Sequence, residues 1–310
     1  MRNAFVNQLE TFAAKDERVI LLVGDIGFGV FENFQKKFPN KFINMGIAEQ
    51  NMISVASGLA KEGFRPVVYT IIPFLTMRGF EQIRVDLCMH DRNVLLVGVG
   101  GGFSYDILGP THHALEDIAI MRSLPHMRIY TPGTPSQLKI TFKEIIDADG
   151  PKYLRLGKNG EKELESDSNY IEAFGVFKSG SNSRDLIISH GPLSVEAEKA
   201  RLEISKMYKI DLSHYSVLKN EPIAEEFFDG VLSKASNIYV IEECYSSGSL
   251  YSEITQKLGK SKINNLQIVG LHPPKKFYTR VANRSEILSD LGLDSSGIFK
   301  FLENNLGLVQ

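Results

Sequence analysis

The sequence predicts an α/β protein with parallel sheets, and three observations lead to this fold class. Short runs rich in β-branched residues alternate along the chain with longer helical patterns. Several of the short runs, such as VILLV at 19–23, are apolar throughout, which is typical of strands buried on both faces. The helical segments between them are long enough to supply the crossover that two parallel strands require. The length of 310 residues accommodates two such units.

The first half of the chain is predicted to form one domain over residues 1–165. Strands are expected where short β-branched runs lie near a Gly or Pro, at residues 19–23, 67–72, 94–99, 128–130 and 153–156. Helices are expected where apolar residues recur at helical spacing, at residues 4–15, 48–61, 74–90, 114–124 and 135–148.

A surface connection is predicted at residues 166–182, where the sequence is rich in Gly, Ser, Asn and charged residues. The alternation then resumes in a smaller second α/β domain over residues 183–310. Its strands are expected at residues 186–189, near 210, at 238–241 and at 266–269. Its helices are expected at residues 193–207, 223–233 and 250–258.

Composition excludes several classes of function. Lys plus Arg number 35 against 37 Asp plus Glu, a formal net charge of -2, so we expect no nucleic-acid binding and no attachment to a membrane. The N-terminal residues lack the apolar core of a signal peptide, so a cytoplasmic location is expected. Cys88 and Cys244 have no histidine at metal-ligand spacing, so we expect reduced thiols and no metal site.

Glu49 is the first candidate site residue. It lies in the opening turn of the helix expected over 48–61, whose apolar face includes Met52 and Ile53 and which Gly63 is suited to end. A carboxylate at this position complements the positive end of the helix dipole. From the residues alone, that structural role and a functional role are equal alternatives.

Two adjacent imidazoles, His112 and His113, form a second candidate. They follow the Gly-rich loop GVGGGF, whose backbone freedom permits close approach to a ligand. Adjacent side chains point in different directions, so at most one of them faces a site, and a structural role is favoured for His113. The sequence lacks the spacing of a dinucleotide-binding fingerprint and the motifs of enzymes with a Ser, Cys or Lys nucleophile. This pattern indicates an enzyme whose acid–base groups work with a cofactor.

Several short motifs, in this order, resemble the second half of transketolase and of 1-deoxyxylulose-5-phosphate synthase, which are thiamine diphosphate enzymes. The motifs are GD at 24–25, GIAEQ at 46–50, FLTMRGFEQ at 74–82, GPTHH at 109–113 and GPKYLRLGK at 150–158. The likeness covers essentially the whole chain. It implies a parallel-sheet pyrimidine-binding domain followed by a smaller α/β transketolase C-terminal domain.

The resemblance implies a chemical role for Glu49. The matching glutamate of the family hydrogen-bonds N1′ of the cofactor's aminopyrimidine ring and promotes the tautomer that removes the thiazolium C2 proton. Glu49 must hold or share a proton for this task, and an apolar environment favours that state. Phe74 matches the aromatic residue that stacks on the pyrimidine ring. Asp25, Met77 and Phe80 are implied as further cofactor contacts.

The resemblance also implies substrate contacts. His112 matches the imidazole beside the reacting carbon, where it assists proton transfer and stabilises charge, and His113 is taken as a further substrate contact. Lys158 stands where the family places an arginine that holds a sugar phosphate. Lysine keeps the positive charge without the bidentate fork.

Half of the family's active site is missing from this sequence. It has no GDG motif with a downstream Asn, which in the family binds magnesium and the diphosphate. We therefore expect thiamine diphosphate to lie between this chain and a separate N-terminal transketolase-like subunit that holds Mg²⁺, with this chain homodimerising within an α2β2 heterotetramer. Leu108 and the glycines at 100–102 also stand where the family has an acidic residue and a basic or imidazole group that help bind the hydroxyls and phosphate of the sugar.

The leading interpretation is a subunit of a split enzyme that transfers a two-carbon ketol unit between sugar or sugar phosphate substrates. A synthase that decarboxylates pyruvate and joins the two-carbon unit to an aldehyde is the enzymatic alternative. A non-catalytic partner that kept the fold is the alternative from another class. 2-oxo acid dehydrogenases are also divided into two chains at this point, but FLTMRGFEQ and GPTHH fit their β-subunit less well.

Overall fold

The structure is a computed structural model that describes residues 1–158, 160–165, 168–260 and 266–308. Residues 166 and 167, at the start of the predicted connection, lie outside the described residues. The chain divides into two compact units. The first unit comprises Met1–Ser104, Thr111–Tyr130 and Pro135–Glu161, and the second comprises Tyr105–Pro110, Thr131–Thr134 and Lys162–Gln310.

The first unit alternates strands with helices. Its strands are β1 (Val19–Val23), β2 (Phe42–Asn44), β3 (Arg65–Ile71), β4 (Leu95–Val99), β5 (Arg128–Tyr130) and β6 (Lys152–Leu156). Its helices are α1 (Arg2–Ala13), α2 (Glu32–Lys37), α3 (Glu49–Lys61), α4 (Phe80–Gln82), α5 (Asp117–Arg122) and α6 (Pro135–Asp147). Two π-helical segments, Phe74–Arg78 and Ile83–Cys88, flank α4.

The second unit follows the same alternation. Its strands are β7 (Asn169–Ile171), β8 (Val176–Ser179), β9 (Asp185–His190), β10 (Ser213–Val217), β11 (Lys219–Glu221), β12 (Asn237–Ile241) and β13 (Gln267–Leu271). Its helices are α7 (Leu193–Tyr208), α8 (Glu225–Gly230), α9 (Leu250–Lys260), α10 (Arg284–Asp290) and α11 (Ser295–Asn305).

The sheet of the first unit is parallel and covered on both faces. Within this unit its strands follow the order β5-β6-β4-β3-β1-β2. Ile20 and Leu22 of β1 pack in one cluster with Met52 of α3. Tyr69 of β3, from the opposite face, stacks on Phe5 of α1 with ring centroids 5.9 Å apart. The predicted α/β class with mostly parallel sheets is confirmed.

The strand register brings the carboxyl ends of the strands to one edge. Val23 at the end of β1 pairs with Asn44 of β2 and Tyr69 of β3, and Val99 at the end of β4 pairs with Ile71 of β3 and Leu156 of β6. Loops after neighbouring parallel strands therefore emerge side by side. In open α/β sheets this edge is where ligands bind.

The sheet of the second unit is mixed. Its strands follow the order β13-β12-β9-β10-β8-β7, with the first four parallel and β8 and β7 antiparallel. Both antiparallel strands lie within the segment predicted as a surface connection. β7 is the edge strand of this sheet and its residues are half-buried or exposed, so its pattern is mixed. β8 lies between β10 and β7 and is mostly buried, but its four residues are too short an apolar run to stand out from the polar residues around them.

Other elements differ from the sequence prediction in detail. The single helix predicted over 74–90 is divided at Gly79 between π-helical and α-helical turns. The helix predicted over 114–124 begins only at Asp117, and the strand expected near residue 210 occupies Ser213–Val217. Among the described residues, we found no helix with the length and apolar character needed to cross a membrane.

Candidate active site

Glu49 is the first residue of α3 and its side chain is almost completely buried. The preceding turn contains Gly46 at a φ of 70°, a conformation that glycine adopts without strain. The helix is anchored by Met52 and Ile53, which are fully buried in the core of the first unit. Local sequence therefore fixes a carboxylate at the positive end of a helix, close to the carboxyl edge of the sheet.

Arg78 pairs with this carboxylate. Its Nη1 donates to Oε2 of Glu49 at 2.7 Å, and its backbone oxygen accepts a hydrogen bond from Nε2 of Gln50 at 3.2 Å. Its guanidinium also lies over the ring of Phe74, 4.6 Å from the centroid. The sequence prediction gave Arg78 no role. The sequence did indicate the contact with Phe74, because Arg78 stands four residues after it in a segment expected to be helical, where residues four apart are neighbours.

Phe74 connects Arg78 to His112. The rings of Phe74 and His112 are 5.2 Å apart and meet edge to face at 70°. Glu49, Arg78, Phe74 and His112 thus form one chain of contacts, which we call the acid–aromatic cluster. The structure brings together three residues that the sequence predicted and one that it did not.

His112 is biased towards its neutral form. Partial burial, and secondarily the charge of His113, hold the pKa of His112 below its usual value. Nδ1 of His112 lies 2.9 Å from the Thr111 hydroxyl, which orients the ring. A neutral imidazole can accept or donate a proton at neutral pH, as an acid–base group must.

Gly79 allows α3 to pack closely on the segment that carries Phe74 and Arg78. A Cβ at this position would stand 2.2 Å from Cδ1 of Ile53 and 2.8 Å from the backbone oxygen of Leu75. The π-helical turn over Phe74–Arg78 adds a local widening of a kind that often occurs at functional sites. Close approach and widened turn together set Arg78 against Glu49.

A buried polar network anchors the loop that carries His112. Nε of Arg155 donates to Oδ2 of Asp117 at 2.8 Å, and Nη2 donates to the backbone oxygen of Ala114 at 2.9 Å. The hydroxyl of Tyr153 donates to the same Asp117 oxygen at 2.7 Å. A Cβ at Gly101 would meet the Arg155 guanidinium at 2.8 Å. The Gly-rich loop was expected to leave space for a ligand, but at Gly101 the side chain of Arg155 occupies that space.

Three further predicted residues belong to the same unit as this cluster. Asp25 is exposed at a φ of 54° after β1, and its Oδ1 accepts a hydrogen bond from Nδ2 of Asn44 at 3.0 Å. Met77 is 41% exposed, whereas Phe80 is half-buried against the hydrophobic core. Phe80 therefore has a packing role in this chain, and Met77 presents an apolar side chain to the surface.

The two remaining predicted residues differ in exposure. His113 is buried and its ring meets Phe103 edge to face at 5.0 Å, which agrees with the structural role favoured by the sequence. Lys158 is half-buried in the loop after β6, at the carboxyl edge of the sheet. A cation at that edge can meet an anionic group of a ligand.

The acid–aromatic cluster fits a flat, nitrogen-containing ring such as the aminopyrimidine of thiamine. Glu49 supplies a buried carboxylate for a ring nitrogen, and Phe74 supplies an aromatic face. That face is covered by Arg78 in this structure, so a ring that stacks there must displace the guanidinium from Phe74.

Comparisons with known proteins identify the family of this chain. Residues 1–160 match the family described as "Transketolase, pyrimidine binding domain". The chain is 29% identical over 302 residues to an apulose-4-phosphate transketolase subunit of Phocaeicola vulgatus, covering 96% of this chain and 95% of that protein. It is 28% identical over 298 residues to 1-deoxy-D-xylulose-5-phosphate synthase 1 of Geobacter sulfurreducens, covering 95% of this chain and 46% of the synthase.

A solved structure is similar to this chain in its fold. The structure described as "Split gene transketolase, inactive beta4 tetramer" superposes with a TM-score of 0.82 at 26% identity, covering 100% of this chain and 98% of that one. This chain therefore spans nearly the whole of these two transketolase chains and about half of the synthase.

Proposed function

The chain belongs to the family of transketolase pyrimidine-binding domains, as its motifs predict, and from this premise we propose that it is the C-terminal subunit of a split, thiamine diphosphate-dependent transketolase. The observation that carries the proposal is the acid–aromatic cluster, which joins Glu49, Phe74 and His112 through Arg78. The reaction is the transfer of a two-carbon ketol unit from a ketose to an aldose.

Thiamine diphosphate, when bound, supplies the electron sink that lets a bond next to a carbonyl group break and form again. Glu49, once Arg78 no longer pairs with it, would share a proton with the pyrimidine ring. Its burial at 1% exposure keeps water away from that proton, and its place at the start of α3 keeps the carboxyl group fixed. Phe74 would offer its face to the ring once Arg78 is displaced, and Met77 would add an apolar contact.

His112 moves a proton at the substrate oxygen. Its lowered pKa leaves the imidazole neutral at neutral pH, so it can take up a proton in one step and return it in the next. The network of Asp117, Arg155 and Tyr153 holds the loop that positions this ring. Lys158 supplies positive charge for a phosphate group on the substrate.

The magnesium and diphosphate site belongs to a partner subunit. The loop after β1 presents Phe28, which is 80% exposed, and the loop from β2 to Glu49 presents Ile47, which is 77% exposed. Contiguous exposed apolar patches are typical of protein interaction surfaces, and both loops leave the same edge of the sheet because β1 and β2 are parallel neighbours. The names of the matched relatives, a transketolase subunit and a split gene transketolase, support assignment of this surface to an N-terminal transketolase-like subunit within a heterotetramer.

Replacement of Glu49 tests the proposal. In the complex reconstituted with the partner, Glu49→Gln keeps the size of the side chain and removes the proton-holding group, so ketol transfer should fall at least about 100-fold. Glu62→Gln, at the exposed other end of α3, is the matched control and should leave turnover unchanged. Analytical ultracentrifugation should show that both variants assemble with the partner to the same extent. Full turnover by Glu49→Gln would reject the assignment.

A synthase that decarboxylates pyruvate is the second candidate, favoured by the 28% identity to 1-deoxy-D-xylulose-5-phosphate synthase 1. The same reconstituted complex separates the two reactions. Release of carbon dioxide from pyruvate in the presence of an aldehyde supports the synthase, whereas transfer from a ketose without carbon dioxide supports the transketolase. A complex that performs neither reaction, although it binds the cofactor, supports the non-catalytic alternative.

A further inference from the structure

Three buried side chains of the second unit bring different metal-binding atoms together. His190, Glu242 and Cys244 are at most 1% exposed, and one ligand atom from each lies within 4.8 Å of the others. Nε2 of His190 is 3.2 Å from Oε1 of Glu242 and 3.9 Å from Sγ of Cys244, and Sγ is 3.5 Å from the same Glu242 oxygen. This group is separate from the acid–aromatic cluster of the first unit.

The fold explains why residues so distant in sequence meet. His190 ends β9 and Glu242 follows β12, and these two strands are parallel neighbours, so both side chains come from the same edge of the sheet. The backbone amides of Leu250 and Tyr251, at the start of α9, each donate to Glu242 at 2.9 Å. They fix the carboxylate before any metal binds, as the outer shell of a metal site does.

From this arrangement we propose that His190, Glu242 and Cys244 form a binding site for a divalent transition metal of the zinc class. Zinc bonds of about 2.0 Å to nitrogen or oxygen and about 2.3 Å to sulfur, at tetrahedral angles, require separations of about 3.3–3.6 Å between ligand atoms. The separations of 3.2, 3.5 and 3.9 Å differ from this range by a few tenths of an ångström at most. Water or another small ligand takes the fourth position.

Charge balance favours a divalent ion at this depth. A carboxylate and a thiolate supply two negative charges and a neutral imidazole supplies none, so a bound M²⁺ leaves the buried group without net charge. Binding releases the thiol proton of Cys244 and replaces the hydrogen bond between Glu242 and His190 with two metal bonds. Nδ1 of His190 is buried and has no hydrogen-bond partner among the described residues.

A catalytic triad explains the geometry less well. In a triad the base uses one ring nitrogen for the nucleophile and the other for the carboxylate. Here the same nitrogen, Nε2 of His190, faces both Cys244 and Glu242. The imidazole therefore does not stand between the other two groups, whereas convergence of three donors on one point is what a metal requires.

Metal titration of the full chain tests the proposal. Chelator-treated protein without an affinity tag is titrated with Zn²⁺ in competition with a chromophoric chelator, and separately with Co²⁺ while visible absorption is recorded. We expect one equivalent of each metal and a thiolate-to-cobalt charge-transfer band. Cys244→Ser should remove the band and weaken Zn²⁺ binding at least about tenfold, because a soft thiolate ligand is lost.

The second cysteine provides the matched control. Burial raises the pKa of the Cys88 thiol to about 12, so Cys88→Ser should keep the cobalt band and the Zn²⁺ affinity of the parent chain. Circular dichroism establishes that each variant is folded. The proposal is overturned if the folded parent chain fails to take up one equivalent in competition, or if the cobalt band survives in Cys244→Ser.

Discussion

Arg78 forms, with Glu49, an ion pair between one buried and one half-exposed side chain. The side chain of Glu49 is 2% exposed and that of Arg78 is 44% exposed, so water screens only part of the interaction. The guanidinium also covers Phe74. In the isolated chain, Arg78 thus occupies both groups that the proposed function assigns to the pyrimidine ring.

This pairing predicts energetic coupling between the two residues. In the isolated chain, Arg78→Gln should lower the free energy of unfolding by about 1 kcal/mol, because it leaves a buried carboxylate without its partner. In the Glu49→Gln background, Arg78→Gln should change the free energy of unfolding little. A double-mutant cycle measured by urea unfolding gives the coupling energy. The exposed Arg84 is the control, and Arg84→Gln should show no coupling energy with Glu49→Gln. Additive effects of Arg78 and Glu49 would contradict the pairing.

His112 gives a prediction about pH. NMR titration of the isolated chain should show its pKa below the usual value of 6.5, because burial and the neighbouring His113 oppose the charged form. The stability that His112 contributes is therefore complete above that usual value and is lost as the pH falls below it.

His113→Gln separates the two causes of this shift. It should raise the pKa of His112 only partly, because burial is the larger cause and stays in place. A His112 pKa at or above the usual value in the parent chain would show that the ring is solvated and would remove the basis for its neutral form.

Residues in sequence motifs were predictable, whereas residues that meet only through the fold were not. Glu49, Phe74 and His112 were assigned because GIAEQ, FLTMRGFEQ and GPTHH resemble a known family. Arg78 lies inside one of those motifs, but its contact with Glu49 depends on how α3 packs on the π-helical segment. His190 and Cys244 are 54 residues apart, so a search for metal-ligand spacing passes over them.

At the scale of elements, the packing of α3 on the segment of Phe74 and Arg78 depends on Gly79. Gly79→Ala should lower the free energy of unfolding by about 1–3 kcal/mol, since the added Cβ meets Ile53 and the backbone of Leu75. Gly58→Ala, in the helix interior with no atom within 4 Å of the new Cβ, should raise it by about 0.5–1 kcal/mol.

Thermal or urea unfolding of the two variants measures this difference. Opposite signs for the two alanine substitutions are expected, since one position is crowded and the other is open to solvent. Equal and small effects would mean that α3 does not approach Gly79 as closely as the structure shows.

Elements with a complete apolar pattern were predictable, and the short strands β2 and β7 were not. The strand at residues 19–23 was predicted with its observed bounds, because all its residues are buried. β2 and β7 are three-residue strands with half-buried or exposed residues, so their sequences carry no period of two. Only pairing with a longer neighbour defines them, and pairing is a property of the fold.

At the scale of the whole molecule, the proposed function assigns one half of a cofactor site to the carboxyl edge of the first sheet. Glu49, Phe74 and His112 act on the reacting rings and substrate in the proposed function, and the diphosphate and its metal are assigned to another subunit. The match over 95% of the apulose-4-phosphate transketolase subunit supports this division between two chains.

Calorimetric titration of thiamine diphosphate with Mg²⁺ tests this central claim most directly. The titration is carried out on this chain alone and on the complex with the subunit that carries the GDG motif and its downstream Asn. The account predicts no measurable heat of binding for the chain alone and one cofactor for each pair of subunits in the complex. Tight, stoichiometric binding to the chain alone would contradict it.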